Sequence, residues 1–320
     1  MSVTTTLTIG NLPPGGSNRD DLVLGTYIPD ELTTGTPPGW TPQGTLTGDQ
    51  VFSTPGQTIS DQLIVGNVDI RAANVTIERC EIQGHGTGGS RGIVQCRHVG
   101  VTSPAMIKDC LIWAPDGGDY VLDGILGEQF TAFRNHIKYV IDGIGGIPLS
   151  GGSPTNTLIQ ANLIEQGVWW SNAPNHSDGS HNDGIQIQGG GGTVGTTGTT
   201  IQYNTIRGVF APASVGTGDA TTTQSLSCIM LNNNVGNLTG LLIDSNWLYA
   251  GQIALNGGGL AAAVTLGTIS NNKFDHTQLY QGANYDDTHT IDVRNIPTVT
   301  FTNNTYVDNG VAVHVRRTTS

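Results

Sequence analysis

The chain has 320 residues, 46 of them glycine, with 12% charged residues and a net charge of −12. β-Branched residues recur along its whole length and glycine follows no three-residue period, which excludes a disordered polyelectrolyte and a collagen. Acidic side chains outnumber basic ones by 25 to 13, against a nucleic-acid backbone as partner, and no run reaches the ~18 apolar residues of a membrane-spanning helix.

Residues 1–6 carry neither a basic stretch nor an apolar core, so no Sec-type signal is expected there. Residues 11–16 and 36–40, with their Pro-Pro-Gly runs, are rich in turn formers. Residues 1–50 are therefore expected as an N-terminal cap over an open sheet edge, or as a docking or oligomerisation arm.

From residue 51 to 320 one phrase recurs. An apolar residue is followed three positions later by Asn or Cys, and two positions beyond by a second apolar residue. It reads Ile77/Cys80/Ile82, Ile107/Cys110/Ile112, Ala132/Asn135/Ile137 and Ile159/Asn162/Ile164. It continues as Ile201/Asn204/Ile206, Ile243/Asn246/Leu248, Ile269/Asn272/Phe274 and Phe301/Asn304/Tyr306. Successive central residues lie between 25 apart (Cys110 to Asn135) and 42 apart (Asn162 to Asn204). A constant phrase on irregular spacing marks a solenoid with loop insertions, here around residues 165–200 and 207–226.

Second strands with a period of two follow the phrase, such as Gly184-Ile185-Gln186-Ile187 and Cys228-Ile229-Met230-Leu231. The expected fold is all-β, a right-handed parallel β-helix of about nine coils whose Asn side chains bond from coil to coil. Cys80 and Cys110 take the Asn position in adjacent coils as small buried fillers. With Cys96 and Cys228 they are expected to be free thiols.

Chemistry concentrates in the first long insertion. Trp169 and Trp170 offer flat faces to a sugar ring, and His176, Asp178, His181 and Asp183 follow them closely. Asp-Gly-Ile begins at Asp123, Asp142 and Asp183. Aligning on it gives a column of Arg91, Asp123, Asp142, Asp183, Ser227, Gly251 and His289. Carboxylates stacked one coil apart, about 5 Å, either hold a cation or keep a proton near neutral pH. The alternative is turn chemistry, with each carboxylate bonded to local backbone amides.

As an enzyme site, Asp183 with Asp142 or Asp178 would supply the acid and the nucleophile or base of a hydrolase. His181 or His176 would be the base of a lyase. With only Lys108, Lys138 and Lys273 as lysines, a lyase would need Ca²⁺ to stabilise its enolate, so Ca²⁺ is the one cofactor considered. No metal ligands are assigned; zinc on His176 and His181 is the weaker reading. Gln186 and Asp123 are expected to touch ligand from the second strands. Tyr285-Asp286-Asp287-Thr288-His289 is a further candidate, with a solvated turn as its plain alternative.

The order Gly44-Thr45-Leu46-Thr47, Thr54-Pro55-Gly56-Gln57-Thr58-Ile59, Val68-Asp69-Ile70 and Asn74-Val75-Thr76-Ile77 resembles the opening coils of pectate-lyase-like β-helix proteins of actinobacteria and their phages. His181-Asn182-Asp183-Gly184-Ile185-Gln186-Ile187 resembles a phrase of the same group. Polygalacturonase members carry paired aspartates, then Gly-His-Gly, then Arg-x-Lys. Here Gly84-His85-Gly86 comes first and no Arg-x-Lys follows, which disfavours that subgroup.

The resemblance implies a phage tail or tailspike-like protein that recognises a host-surface polysaccharide, with depolymerisation of it as a further expectation. Such a protein is made in the host cytoplasm and carried on the virion, as a homotrimer beside other tail proteins. The alternative is a free extracellular polysaccharide lyase or glycoside hydrolase acting on an acidic glycan. A purely structural tail component is the third reading.

Overall fold

The computed structural model describes residues 19, 22–86, 92–97, 103–115, 123–147, 157–166, 180, 182–188, 196–208, 225–232, 238–251, 254–257, 264–279, 291–292 and 299–316. Three parallel sheets wind together into a right-handed parallel β-helix. The first sheet runs from Gly44–Thr47 to Thr305–Tyr306, the second from Gln50–Phe52 to Val315–Arg316, and the third from Thr58–Ser60 to Val299–Thr302. Each coil visits them in that order. The first two sheets are both 10-stranded, one coil more than the sequence phrase suggests, because the first coil already opens at Gly44.

All eight phrases fall at the same place in the coil. The first apolar residue points inward from the third sheet, the last points inward from the first sheet, and the Asn or Cys lies in the two-residue turn between them. Register is continuous along the third sheet through Ile77, Ile107, Ala132, Ile159, Ile201, Ile243, Ile269 and Phe301. The first sheet matches it through Ile82, Ile112, Ile137, Ile164, Ile206, Leu248, Phe274 and Tyr306. These stacks form one continuous buried core, where each large apolar side chain contributes roughly 1.5–3 kcal/mol against chain entropy.

The turn itself is unusual in its backbone. Its first residue is left-handed at Arg79, Asp109, Arg134, Ala161, Tyr203, Ser245, Asn271 and Asn303, with φ between 50° and 58°. That bend costs a residue other than glycine ~1–2 kcal/mol. The residue that follows offsets it. Asn204 Nδ2 donates to Ile159 O (2.9 Å), Gln202 O (3.1 Å) and Asn246 Oδ1 (2.9 Å), and its backbone N–H donates to Asn246 Oδ1 (3.0 Å). Its own Oδ1 accepts from the backbone N–H and Nδ2 of Asn162, both at 2.9 Å. The ladder continues through Asn135, Asn162, Asn246, Asn272 and Asn304 with the same bonds.

Cys110 and Cys80 imitate the amide. Cys110 Sγ donates to Ile77 O (3.7 Å) and Lys108 O (3.2 Å), the carbonyl positions that Asn Nδ2 reaches elsewhere. All four cysteines are free and buried, and burial pushes the Cys96, Cys110 and Cys228 thiols well up. The Cys110 hydrogen bond draws the Cys80 thiol the other way, below its ordinary value; both cysteines of the repeat fill buried positions, as expected.

The flank formed by these turns is covered by the N-terminal segment. Arg19 donates to four carbonyls, Gly35 and Leu32 at 2.6 Å, Thr34 at 3.1 Å and Thr36 at 3.3 Å, which ties residues 32–36 into a compact loop. Arg134 reaches across, pairing with Asp109 through two 2.9 Å bonds and donating to Arg19 O at 2.6 Å. The Gly35 N–H returns a 2.8 Å bond to Arg134 O, and Trp40 Nε1 reaches Asp61 at 3.4 Å. Residues 22–43 thus run along the side of the coils.

At the far end the chain turns back on itself. Ala312 forms an antiparallel bridge with Thr305, and the Val313 N–H donates to Asn304 O at 2.9 Å. This hairpin occupies the edge where another coil would pair, the protection an open sheet end requires.

Candidate functional site

Connections differ sharply around the coil. The turn from third to first sheet has two residues in every coil from Arg79-Cys80 onward, whereas the longer connections all adjoin the second sheet. Residues 116–122, 167–181 and 209–224 precede its strands, and residues 148–156, 189–195 and 258–263 follow them.

The second sheet brings three aspartates into one column. Asp123, Asp142, Asp183 and Ser227 oppose one another through the registers that join Ile125, Ile144, Ile185 and Ile229. Both ends of the expected column need correction. Gly92 faces Asp123 in place of Arg91, and Gly251 belongs to the first sheet, paired with Leu279. The Asp-Gly-Ile marker stops at Asp183 and a bulge shifts the register there, yet Ser227 still faces Asp183 as expected, and the alignment first fails at Gly251.

The glycine after each aspartate answers to packing. A Cβ at Gly124, Gly143 or Gly184 would lie 2.3–2.4 Å from the Cγ2 atom of Ile137, Ile164 or Ile206. It would also lie 2.5–2.6 Å from the carbonyl oxygen one coil on. None of the three has positive φ, so close approach to the core explains the repeated Asp-Gly better than turn flexibility. Asp142 Oδ1 accepts the Asp183 N–H at 2.8 Å, a carboxylate bonded to the backbone of the next coil.

Asp183 is 4% exposed and its Oδ1 has no hydrogen-bond partner. Burial, reinforced by the Asp142 charge, pushes its carboxyl well above the usual carboxylate range, although the nearby Ser227 amide and hydroxyl oppose the shift. The folded pKa of Asp183 lies above the unfolded value, so the stability it contributes is full below ~4 and is lost as pH rises through the folded value. Asp183→Asn is expected to be more stable than the parent at neutral pH, with the gap closing near pH ~4. Urea unfolding across pH reads this directly, and a gap independent of pH would contradict it.

Asp123 is half-buried at the outer surface. A Cβ built on Gly145 would meet Asp123 Oδ2 at 3.1 Å and Leu126 Cδ1 at 2.7 Å. Gln186 sits opposite Gly145 in the same outward row, followed by Met230. The structure thus unites Asp123, Asp142 and Asp183 in one column and places Gln186 beside it. Trp169, Trp170, His176, Asp178, His181 and residues 285–289 lie outside the described residues. Among the described residues no cluster of three or more metal-ligating side chains forms.

A second polar group escaped the sequence reading. On the outer face of the first sheet, His136 Nε2 and Glu165 Oε2 are 2.6 Å apart. Arg207 Nη1 donates to Glu31 (2.6 Å) and Glu165 (3.4 Å). Burial alone would raise the Glu165 carboxyl, but the His136 hydrogen bond and the surrounding cations hold it below the ordinary value. Trp113, Lys138, Glu165, Arg207, Tyr249 and Asp275 form one row, each three residues after its Asn or Cys. Reading the phrase at that offset would have found them.

No protein-family model matches the chain, and no curated protein matches it.

Proposed function

We propose that the protein is a phage tail or tailspike-like protein that recognises a host-surface polysaccharide along the outer face of its second sheet. One observation carries this reading: the long connections all adjoin that sheet, where Asp123 stands half-buried at the surface above the buried Asp142 and Asp183, beside the outward row of Gln186. A rigid stack of coils whose longest connections adjoin one sheet suits an extended polymer. Association of three copies side by side, next to other tail proteins, belongs to the same reading.

Cleavage of the glycan is its enzymatic extension. Two carboxyl groups one coil apart, one of them with its pKa raised by burial, match what glycosidic hydrolysis uses. The test combines mass in solution with binding to a panel of host-wall and uronate polysaccharides, followed for reducing ends and for unsaturated products. A trimer that binds, with binding weakened about tenfold in Asp123→Asn, Gln186→Ala, is the expected result. Unsaturated products would move the assignment to a lyase, and absence of binding to any glycan would overturn the reading.

A further inference from the structure

The outer face of the first sheet carries features that the second-sheet site does not use. The row nearer the N-terminal segment (His136, Leu163, Thr205 and Trp247) is buried. The next row, beginning with Trp113 and Lys138, is half-buried and borders the covered strip as an open floor. Glu31 from the N-terminal segment reaches onto this floor through its 2.6 Å contact with Arg207.

Trp113 is held in place from three sides. Its Nε1 donates to Glu81 at 3.0 Å, the ring meets Tyr139 edge-on with centroids 6.4 Å apart, and Lys138 Nζ stands 5.7 Å from its centroid. Tyr139 has a left-handed backbone, φ +56°, whereas Ala114 and Gln166 at the same place in neighbouring coils do not. A bulky residue in that conformation is a local strain, of the kind that clusters at ligand clamps. Here it brings the phenol ring beside the indole. Lys138 Nζ also lies 5.4 Å from the Tyr139 centroid.

We propose that this face is a second carbohydrate site, whose ligand is a neutral pyranose chain lying parallel to the solenoid axis. It rests on the preceding reading only in taking a carbohydrate as the ligand. A pyranose ring has apolar C–H surface and a rim of hydroxyl groups. Trp113 and Tyr139 supply the apolar contact, Glu81 accepts hydroxyl hydrogens, and Gln83 and Lys138 donate to hydroxyl oxygens. A neutral sugar is favoured because the chain carries a net charge of −12 and because Glu81 and Glu165 flank the floor. Tyr249 lies four coils beyond Trp113 on the same row, ~19 Å at ~4.8 Å per coil, so a longer chain meets aromatic rings at both ends.

Calorimetry with cello-, malto- and galacto-oligosaccharides, as disaccharides and hexasaccharides, and with uronate oligomers of equal length tests this. The expected result is binding of a neutral hexasaccharide, weaker binding of the disaccharide, and about tenfold loss in Trp113→Ala. Lys138→Met, which keeps the packing, should lose several-fold, while Asp123→Asn, Gln186→Ala retains this binding. Unchanged affinity in both first-sheet variants overturns the proposal, as does binding confined to uronates. If binding is lost only in the second-sheet variant, this proposal falls and the second-sheet reading stands. Loss only in the first-sheet variants gives the reverse, and no binding by any oligosaccharide overturns this site.

Discussion

Asn204→Ala is expected to lower the unfolding free energy by about 3–5 kcal/mol, read as a lower urea midpoint at an unchanged slope. Four buried groups lose a partner at once. The N–H of Asn162 loses its acceptor and Ile159 O its side-chain donor, while Asn162 Nδ2 and Asn246 Oδ1 each lose one of several partners. Each buried group left unsatisfied costs about 1–3 kcal/mol, and local relaxation recovers part of the sum. The position has no route to water, since Asn204 is 0% exposed. Asn304→Ala should cost less, because Asn304 is the last rung: Asn272 N–H and Nδ2 and Ile269 O lose a partner, but no further Asn does. Equal losses at the two positions would show that the ladder does not act as a chain of mutually dependent bonds.

Asp109→Ala is the second large effect. It strands the Arg134 guanidinium, which is 4% exposed, next to Arg19, which burial already disfavours in its charged form. Removing one partner of a buried ion pair costs about 3–5 kcal/mol. Because Arg134 also holds Arg19 O, the N-terminal segment should come loose, and residues 22–43 should become cleavable by protease before the coils unfold. The double change Asp109→Leu, Arg134→Met removes both charges and should recover most of the loss, which a double-mutant cycle measures. Undiminished protease resistance in Asp109→Ala would mean that the segment is held elsewhere.

The coil was legible because its phrase marks one physical event, a tight turn between two inward-facing residues. Ile159, Asn162 and Ile164 are enough to place the turn, the core and the register. The left-handed residue before each Asn was not legible, since Arg134, Ala161 and Tyr203 have no chemistry in common and backbone stacking alone selects the bend. Docking of the N-terminal segment was equally hidden. It depends on a cluster of carbonyls around Arg19 and on a contact between residues far apart in sequence, neither of which leaves a period. The column was readable from Asp123 through Asp142 and Asp183 to Ser227, and was lost one coil later, where Gly251 falls in the first sheet and no Asp-Gly-Ile marks the strand. His136 and Glu165 sit at fixed offsets from the Asn, but His136 lies nearer the turn than Glu165 and they meet only across adjacent coils, so the phrase alone does not pair them.

The side-chain amides of the ladder all point the same way. Each Asn takes hydrogen bonds from the preceding coil on its oxygen and gives them to the next coil from its nitrogen, as Asn162, Asn204 and Asn246 do in turn. Their dipoles therefore add, and the column has a donor end and an acceptor end. The acceptor end lies inside the solenoid, where Asn135 Oδ1 takes the Cys110 N–H. The donor end is Asn304, and the hairpin at Ala312 and Val313 stands over it. A further coil could lengthen the column only there, and only by displacing the hairpin.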